Sequence, residues 1–347
     1  MAATPDAIRC SMGIMAYNEE ANIGRLLEAV AGQRTAAARI TEVIVIASGC
    51  TDDTVGVARR FAASEPRVRV VVQERREGKS AAVNLFLSQA REQVLVLCSA
   101  DILPAPDTVE RIVLPFADPE VAMTTCRPVP VNDRTRFMGF AAHMLWDLHH
   151  EINLREFKAG EMIAFRKVFE RIPRRSAVDE ASVESVIRGQ GYTVRYVPDA
   201  VTYNKGPDTV RDFLSQRRRI FAGHLALRDG CGYRPSTLGS LKILGLVLRR
   251  LDWRPKYFAW TWAVAALEAW GRHLGRRDHR RRLDHSVWAM ASTTKALGLT
   301  APPDPLPLPD AALLAHARAL QAADLPVATA RLAPLPTASG GAPQEHA

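Results

Sequence analysis

Between Ile8 and Arg228 short apolar runs alternate with amphipathic stretches, and this alternation restricts what the chain can fold into more than any other feature. Cys10–Met15, Glu42–Ala47, Val68–Val72, Val94–Cys98 and Thr193–Val197 have the length of strands. The stretches Glu20–Gly32, Asp53–Ala63, Lys79–Arg91 and Pro106–Pro115 read as helices between them. Such alternation predicts an α/β fold with a mainly parallel, Rossmann-like sheet flanked by helices. Ligands of such sheets sit beyond the carboxyl ends of the strands, which is where the polar turns of this sequence fall.

The 347 residues exceed one typical domain and divide by composition into three regions. Residues 1–229 carry the alternating pattern. Residues 230–300 form a helical region rich in Trp, Tyr and Arg. Residues 301–347 are a Pro/Ala-rich stretch that reads as a flexible tail, with one helix-like segment at Asp310–Ala322.

A formal net charge of +9 suits anionic partners. Five scattered cysteines, with no CxxC and no Cys/His cluster, indicate neither a disulfide framework nor a structural zinc site. Met1–Arg9 has no apolar signal-peptide core, so a cytoplasmic location is expected. In the second region the uncharged core Tyr257–Leu267 is shorter than the ~20 residues a bilayer span needs. Its aromatic residues, followed by Arg272, Arg276, Arg277 and Arg280–Arg282, read as an interfacial segment against an anionic membrane surface. A helix pair packed on the first region, with a solvated basic face, is the competing reading.

Six polar motifs carry chemistry. Ala16-Tyr17-Asn18-Glu19-Glu20 follows the first apolar run, and Ala47-Ser48-Gly49-Cys50-Thr51-Asp52 follows the second. Either turn serves a helix cap or a nucleotide. Gly78-Lys79-Ser80 is reminiscent of a phosphate loop, but the first glycine of that motif is replaced by Gln73, which rejects the assignment. A Gly-Lys turn opening a helix still suits a phosphate. Asp101 leaves a buried run at the sheet edge, a place for a Mg²⁺ or Mn²⁺ ligand, since these ions take one or two carboxylates plus phosphate oxygens. Gly160-Glu161 and the pair Asp179-Glu180 stand at loop-to-element junctions, the latter placed to act as a general base. Gln216-Arg217-Arg218-Arg219 lies on a helix, where consecutive side chains diverge and at most two arginines meet one ligand.

In this order the motifs resemble the inverting family-2 glycosyltransferases of membrane-associated type, over roughly Arg9–Arg228. The resemblance implies the GT-A fold and metal-dependent transfer of a sugar, with inversion, from a nucleotide-diphosphate sugar to a lipid-linked or saccharide acceptor. It implies donor contacts at Ala16, Tyr17, Glu19, Ser48, Lys79, Asp101, Gln216 and Arg219, and acceptor-side residues Gly160 and Glu161. The family's Asp-x-Asp metal motif stands here as Ser99-Ala100-Asp101, leaving Asp101 as the ligand of Mg²⁺ or Mn²⁺. Its acidic pair is inverted to Asp179-Glu180, with Glu180 at the base position and Asp179 as the rival. Its Gln-x-x-Arg-Trp motif ends in Ile220. Ala47 and Ser48 replace carboxylates of the family, one of which contacts uracil in relatives, and this leaves the nucleotide base open.

With the missing signal-peptide core, the aromatic and basic segment near Lys256–Arg282 leads to the expectation of a cytoplasmic enzyme held peripherally at the inner face of the cell membrane. Two other readings share the nucleotide chemistry: a non-catalytic nucleotide-sugar-binding scaffold, and a sugar-phosphate nucleotidyltransferase. The latter usually has a glycine-rich loop near its N-terminus, where Met12–Asn22 offers only Gly13. The basic residues match no nucleic-acid-binding motif, so no nucleic-acid partner is expected.

Overall fold

The computed structural model describes residues 7–236, 240–287, 292–295 and 297–298, so the segment Asp310–Ala322 and the tail lie outside the described residues. Eight strands form one sheet: β1 (Ile8–Ala16), β2 (Ala38–Ser48), β3 (Val68–Gln73), β4 (Val94–Ser99), β5 (Ile102–Pro104), β6 (Val121–Pro130), β7 (Met162–Arg166) and β8 (Thr193–Asn204). Their order is β3-β2-β1-β4-β7-β6-β8-β5. The helices are α1 (Ile23–Ala31), α2 (Thr54–Ala62), α3 (Lys79–Gln89), α4 (Thr108–Val113), α5 (Phe137–Asn153), α6 (Asp179–Gly189), α7 (Val210–Cys231), α8 (Ser240–Arg249) and α9 (Pro255–Arg280).

Strand periodicity divides the core in two. Met12 and Ile14 of β1, Val43 and Val45 of β2, and Val94 and Val96 of β4 pack on one face, with Leu26 of α1. Met15, Ile44, Ile46, Leu95 and Leu97 point to the other face, against Val83 and Phe86 of α3. Gly13 makes the second contact possible, because a Cβ there would lie 2.7 Å from the Phe86 ring.

The expected parallel sheet is the half β3-β2-β1-β4. The other half is mixed. β7 runs antiparallel to β4 and β6, whereas β6 and β8 are parallel. Strands β5, β6 and β7 and helix α5 are additions to the sequence reading. β6 interrupts its apolar residues with the buried pair Thr124 and Thr125, and α5 buries His143, His149 and His150, so apolar periodicity is weak in both.

This topology gathers the polar motifs on one edge. β1, β2 and β4 deliver Ala16, Ser48 and Asp101 at their carboxyl ends. The reversed strand β7 brings its beginning to the same edge, Cys98 pairing with Met162, so Glu161 arrives beside the end of β4. β8 ends there too, at Asn204.

Helix α9 is bolted to α7. A Cβ on Gly271 would lie 2.8 Å from Cβ of Arg217, and one on Gly275 would lie 2.6 Å from the carbonyl oxygen of Arg218. Arg217 pairs with Glu268 at 2.6 Å, and Arg218 pairs with the fully buried Asp278. The aromatic residues of the C-terminal region divide by role. Trp260 packs on Phe137 and Phe140 of α5 at centroid distances of 5.6 and 5.7 Å, and Tyr257 also meets Phe140 at 5.6 Å. Trp253, Trp262 and Trp270 are instead 78%, 40% and 54% exposed. Among the described residues no helix is long and apolar enough to cross a membrane.

Candidate active site

The two turns that follow β1 and β2 are laced into one platform. Asn18, at φ 52°, donates through Nδ2 to Oγ1 of Thr51 at 3.0 Å, and its Oδ1 accepts from the Thr51 amide at 2.8 Å. The Glu19 amide donates to Oγ1 of Thr54 at 2.7 Å, and the Glu20 amide to Asp52 at 3.1 Å. Asn18, Thr51 and Asp52 therefore shape the turn, while Ala16, Tyr17, Glu19 and Ser48 line a cavity of about 980 Å³. The Arg76 guanidinium lies 3.8 Å above the Tyr17 ring.

Lys79 opens α3 behind Gly78, whose φ of 91° suits glycine. Its Nζ lies 2.5 Å from Oε1 of Glu180 and 3.1 Å from Oδ2 of Asp179. These three residues form one unit joining α3 to the start of α6. Burial pushes Asp179 up, to about 6, with the neighbouring Glu180 charge adding to it. Burial also opposes ionisation of Glu180, but Lys79 outweighs it and holds that carboxyl below its ordinary value. Asp179 is buried, whereas Glu180 is partly open on the cavity wall. Of the two rivals, Glu180 is the more strongly held in its charged form and the more open to the cavity.

Asp101, Glu19 and Glu161 concentrate negative charge near the end of β4. Burial drives Glu19 up to about 7, and the charge of Asp101 adds to the shift. The same two causes, in the same order, lift Glu161 to about 7. Asn204 donates to Oε1 of Glu161 at 3.1 Å. Gly160 donates its amide to Thr125 at 2.9 Å, which fixes the backbone that carries Glu161. Among the described residues no three carboxylate, histidine or cysteine side chains form a ready metal cage. Oδ1 of Asp101 is, however, buried without a hydrogen-bond partner. One orphaned carboxylate oxygen in a negative region fits Mg²⁺ or Mn²⁺, which fill the rest of their shell with phosphate oxygens and water.

The arginine triplet diverges as helical geometry requires. Arg217 and Arg218 turn to α9, and Arg219 donates to the carbonyl oxygen of Ala177 at 2.9 Å, on the loop that leads into Asp179. Gln216 and Arg219 both line the cavity. Every sequence-predicted site residue thus meets in one cavity.

Sequence reasoning missed Lys295, Asn204 and Lys158. Lys295 pairs with Glu19 and donates to the carbonyl oxygen of Tyr17 at 3.0 Å. It lies 276 positions from Glu19, and no sequence spacing connects the two. Asn204 ends a strand that the sequence reading stopped at Val197. Lys158 adjoins the Ala159-Gly160-Glu161 motif, a nearness that offered the one available signal.

Comparison with known proteins identifies the family and the fold. Residues 11–186, just over half of the chain, match the family described as glycosyl transferase family 2. Glycosyltransferase AglD of Haloferax volcanii is 28% identical over 235 residues, which cover 63% of this chain and 37% of that protein. Dolichol-phosphate mannosyltransferase of Mycosarcoma maydis is 27% identical over 116 residues, covering 32% of this chain and 40% of that protein. The matches thus span little more than a third of these relatives' own lengths. A mannosyltransferase of Pyrobaculum calidifontis, solved in complex with GDP-Man and Mn²⁺, superposes with a TM-score of 0.52 at 25% identity. That superposition covers 82% of this chain and 86% of the other. The fold is the GT-A fold, and the chain belongs to glycosyltransferase family 2.

Proposed function

We propose that this chain transfers a sugar from a nucleotide-diphosphate sugar to a hydroxyl of a lipid-linked or saccharide acceptor, in a single displacement that inverts the anomeric carbon. The observation that carries the reading is the pairing, in one cavity, of an ionised Glu180 with the orphaned oxygen of Asp101.

The acceptor oxygen forms the new bond to the anomeric carbon, while the bond from that carbon to the diphosphate breaks and leaves its electron pair on the diphosphate oxygen. Glu180 takes the hydroxyl proton, a role usually worth ~10²–10⁴ in rate. Lys79 keeps Glu180 charged and aimed, and Asp179 completes the unit from below. Asp101 would hold a divalent ion, which when bound supplies positive charge to the leaving diphosphate. Arg219 adds fixed positive charge beside the loop that carries the base. Tyr17 and Ser48 face the nucleoside, with Ala16 and Glu19 behind them, and Gln216 lies on the diphosphate side. Gly160 and Glu161 border the acceptor.

The enzyme works as a peripheral protein on the cytoplasmic face of a membrane, held by the exposed Trp253, Trp262 and Trp270 and by the basic end of α9. The supporting observation is that these indoles face solvent while Tyr257 and Trp260 are used in packing.

A donor screen by thermal shift tests the reading, with UDP, GDP, CMP and dTDP sugars offered with and without Mn²⁺. Metal-dependent stabilisation by one donor, followed by hydrolysis or transfer of its sugar, is the expected result. Stabilisation without turnover points to a binding scaffold, and no stabilisation by any donor removes the transferase reading.

A further inference from the structure

Beyond the donor end, the cavity changes character. One turn along α5 from His149 stand Leu145 and Trp146, and one turn along α9 from Glu268 stand Val264 and Ala265, all of them cavity wall. Leu244 and Val247 of α8 complete an apolar chamber. Lys158, Arg217 and Arg272 form a basic cluster on the wall of the same cavity that holds Asp101, Glu161 and Glu180.

Two of these cations share one anion: Arg217 and Arg272 both bond Glu268, at 2.6 and 2.8 Å. The other nearby carboxylate, Glu184, is taken by Arg188 at 3.0 Å. Among the described residues the Lys158 ammonium has no hydrogen-bond or ion-pair partner, although the residue is partly withdrawn from water on the cavity wall. A withdrawn, unpartnered cation is costly unless an anion joins it.

We propose that Lys158, Arg217 and Arg272 form a binding site for the phosphate of a lipid-linked acceptor, whose hydrocarbon chain lies in the apolar chamber between α5, α8 and α9. This names the acceptor class within the transferase reading above and rests on it. The phosphate is an anchor, and the reacting hydroxyl lies on the Glu180 side. Juxtaposed positive and apolar walls select an amphiphile: free phosphate gains nothing from the chamber, and an uncharged lipid leaves Lys158 alone.

The electrostatics agree with the geometry. Burial, reinforced by Arg217, depresses Lys158 to about 7. The groups whose charges reach it are Arg217 of α7, Arg272 and Glu268 of α9, and Glu184 of α6. His149 of α5 and His224 of α7 lie in the same cluster, and burial pushes both well below the ordinary histidine value, so neither supplies a competing charge.

Calorimetric titration of the full chain with farnesyl phosphate, farnesol and inorganic phosphate tests the site. Farnesyl phosphate is expected to bind most tightly. K158Q should weaken it roughly 10- to 100-fold, the loss of one charge-assisted hydrogen bond, while K158R retains it. Equal binding of farnesol, equal binding of inorganic phosphate, or an unaffected K158Q overturns the proposal. Donor nucleotide binding is read on the same samples with Mn²⁺. A chain that binds nucleotide but not farnesyl phosphate overturns the acceptor site alone, whereas loss of nucleotide binding by the native chain overturns the transferase reading.

Discussion

The Nζ of Lys79 lies 2.5 Å from Oε1 of Glu180, so the lysine of the Gly-Lys turn is held against the carboxylate proposed as the base. Removing the charge on either side should therefore affect chemistry more than binding. E180Q is expected to lower kcat by ~10²–10⁴ with little change in donor KM. K79M should lower kcat and raise the pH at which activity appears, because Glu180 then lacks the charge that opposes its burial. The kcat profile from pH 4.5 to 9 checks both.

Asp101 should control metal-coupled binding. D101N is expected to lose the Mn²⁺-dependent part of donor stabilisation while keeping its own melting temperature within a few degrees. A thermal-shift titration of Mn²⁺ at fixed nucleotide reads the effect directly. An unchanged Mn²⁺ response would assign the metal elsewhere.

Glu19 and Glu161, both raised to about 7, should make the unliganded protein less stable as pH rises. The sign follows from linkage. Their folded values lie above the ordinary carboxylate value, so between about pH 4.5 and 7 the folded state binds more protons, and stability falls through that window. E161Q should flatten the dependence and raise Tm at pH 8 by about 3 °C, the effect of ~1 kcal/mol in a chain of this size. Melting curves at pH 5.5 and 8 decide it.

D278A should loosen the C-terminal helix. Asp278 is fully buried between Arg218 and His285, and removing one member of a buried ionic group costs roughly 3–5 kcal/mol. The expected result is a fall in Tm, with faster amide exchange across α9 and unchanged exchange in β1 and β4.

Flotation with anionic vesicles tests the membrane reading. Native protein should float at low salt and sink at high salt. A triple change of Trp253, Trp262 and Trp270 to Ser should abolish flotation without altering donor stabilisation. A native chain that never floats would overturn the membrane reading.

The parallel half of the sheet was legible because β1, β2 and β4 are buried on both faces and read as continuous apolar runs. The antiparallel half was not, since β6 places Thr124 and Thr125 in the interior, where Thr124 bonds the carbonyl oxygen of Ile112 and Thr125 receives Gly160. The acidic pair, Asp101 and the arginine triplet were found from motif order. Which carboxylate is held more firmly in its charged form was not, because that depends on Lys79, 101 positions away from Glu180. Lys295 was equally hidden, as its partners lie at the opposite end of the chain. The aromatic C-terminal region holds packed and exposed side chains under one composition, and only the structure separates Trp260 from Trp262.

The strand order bears on where this protein can be cut. The family match ends at residue 186, inside α6, before β8 begins. β8 lies between β6 and β5, so a fragment ended there loses an interior strand and strands β5 away from the sheet. It also loses Arg219 and the whole of α9. The family match thus covers less than the whole sheet. A fragment that keeps the whole sheet and the packing of α7 on α9 runs past β8 and through α9, and one that also keeps the contact to the Tyr17 carbonyl includes Lys295.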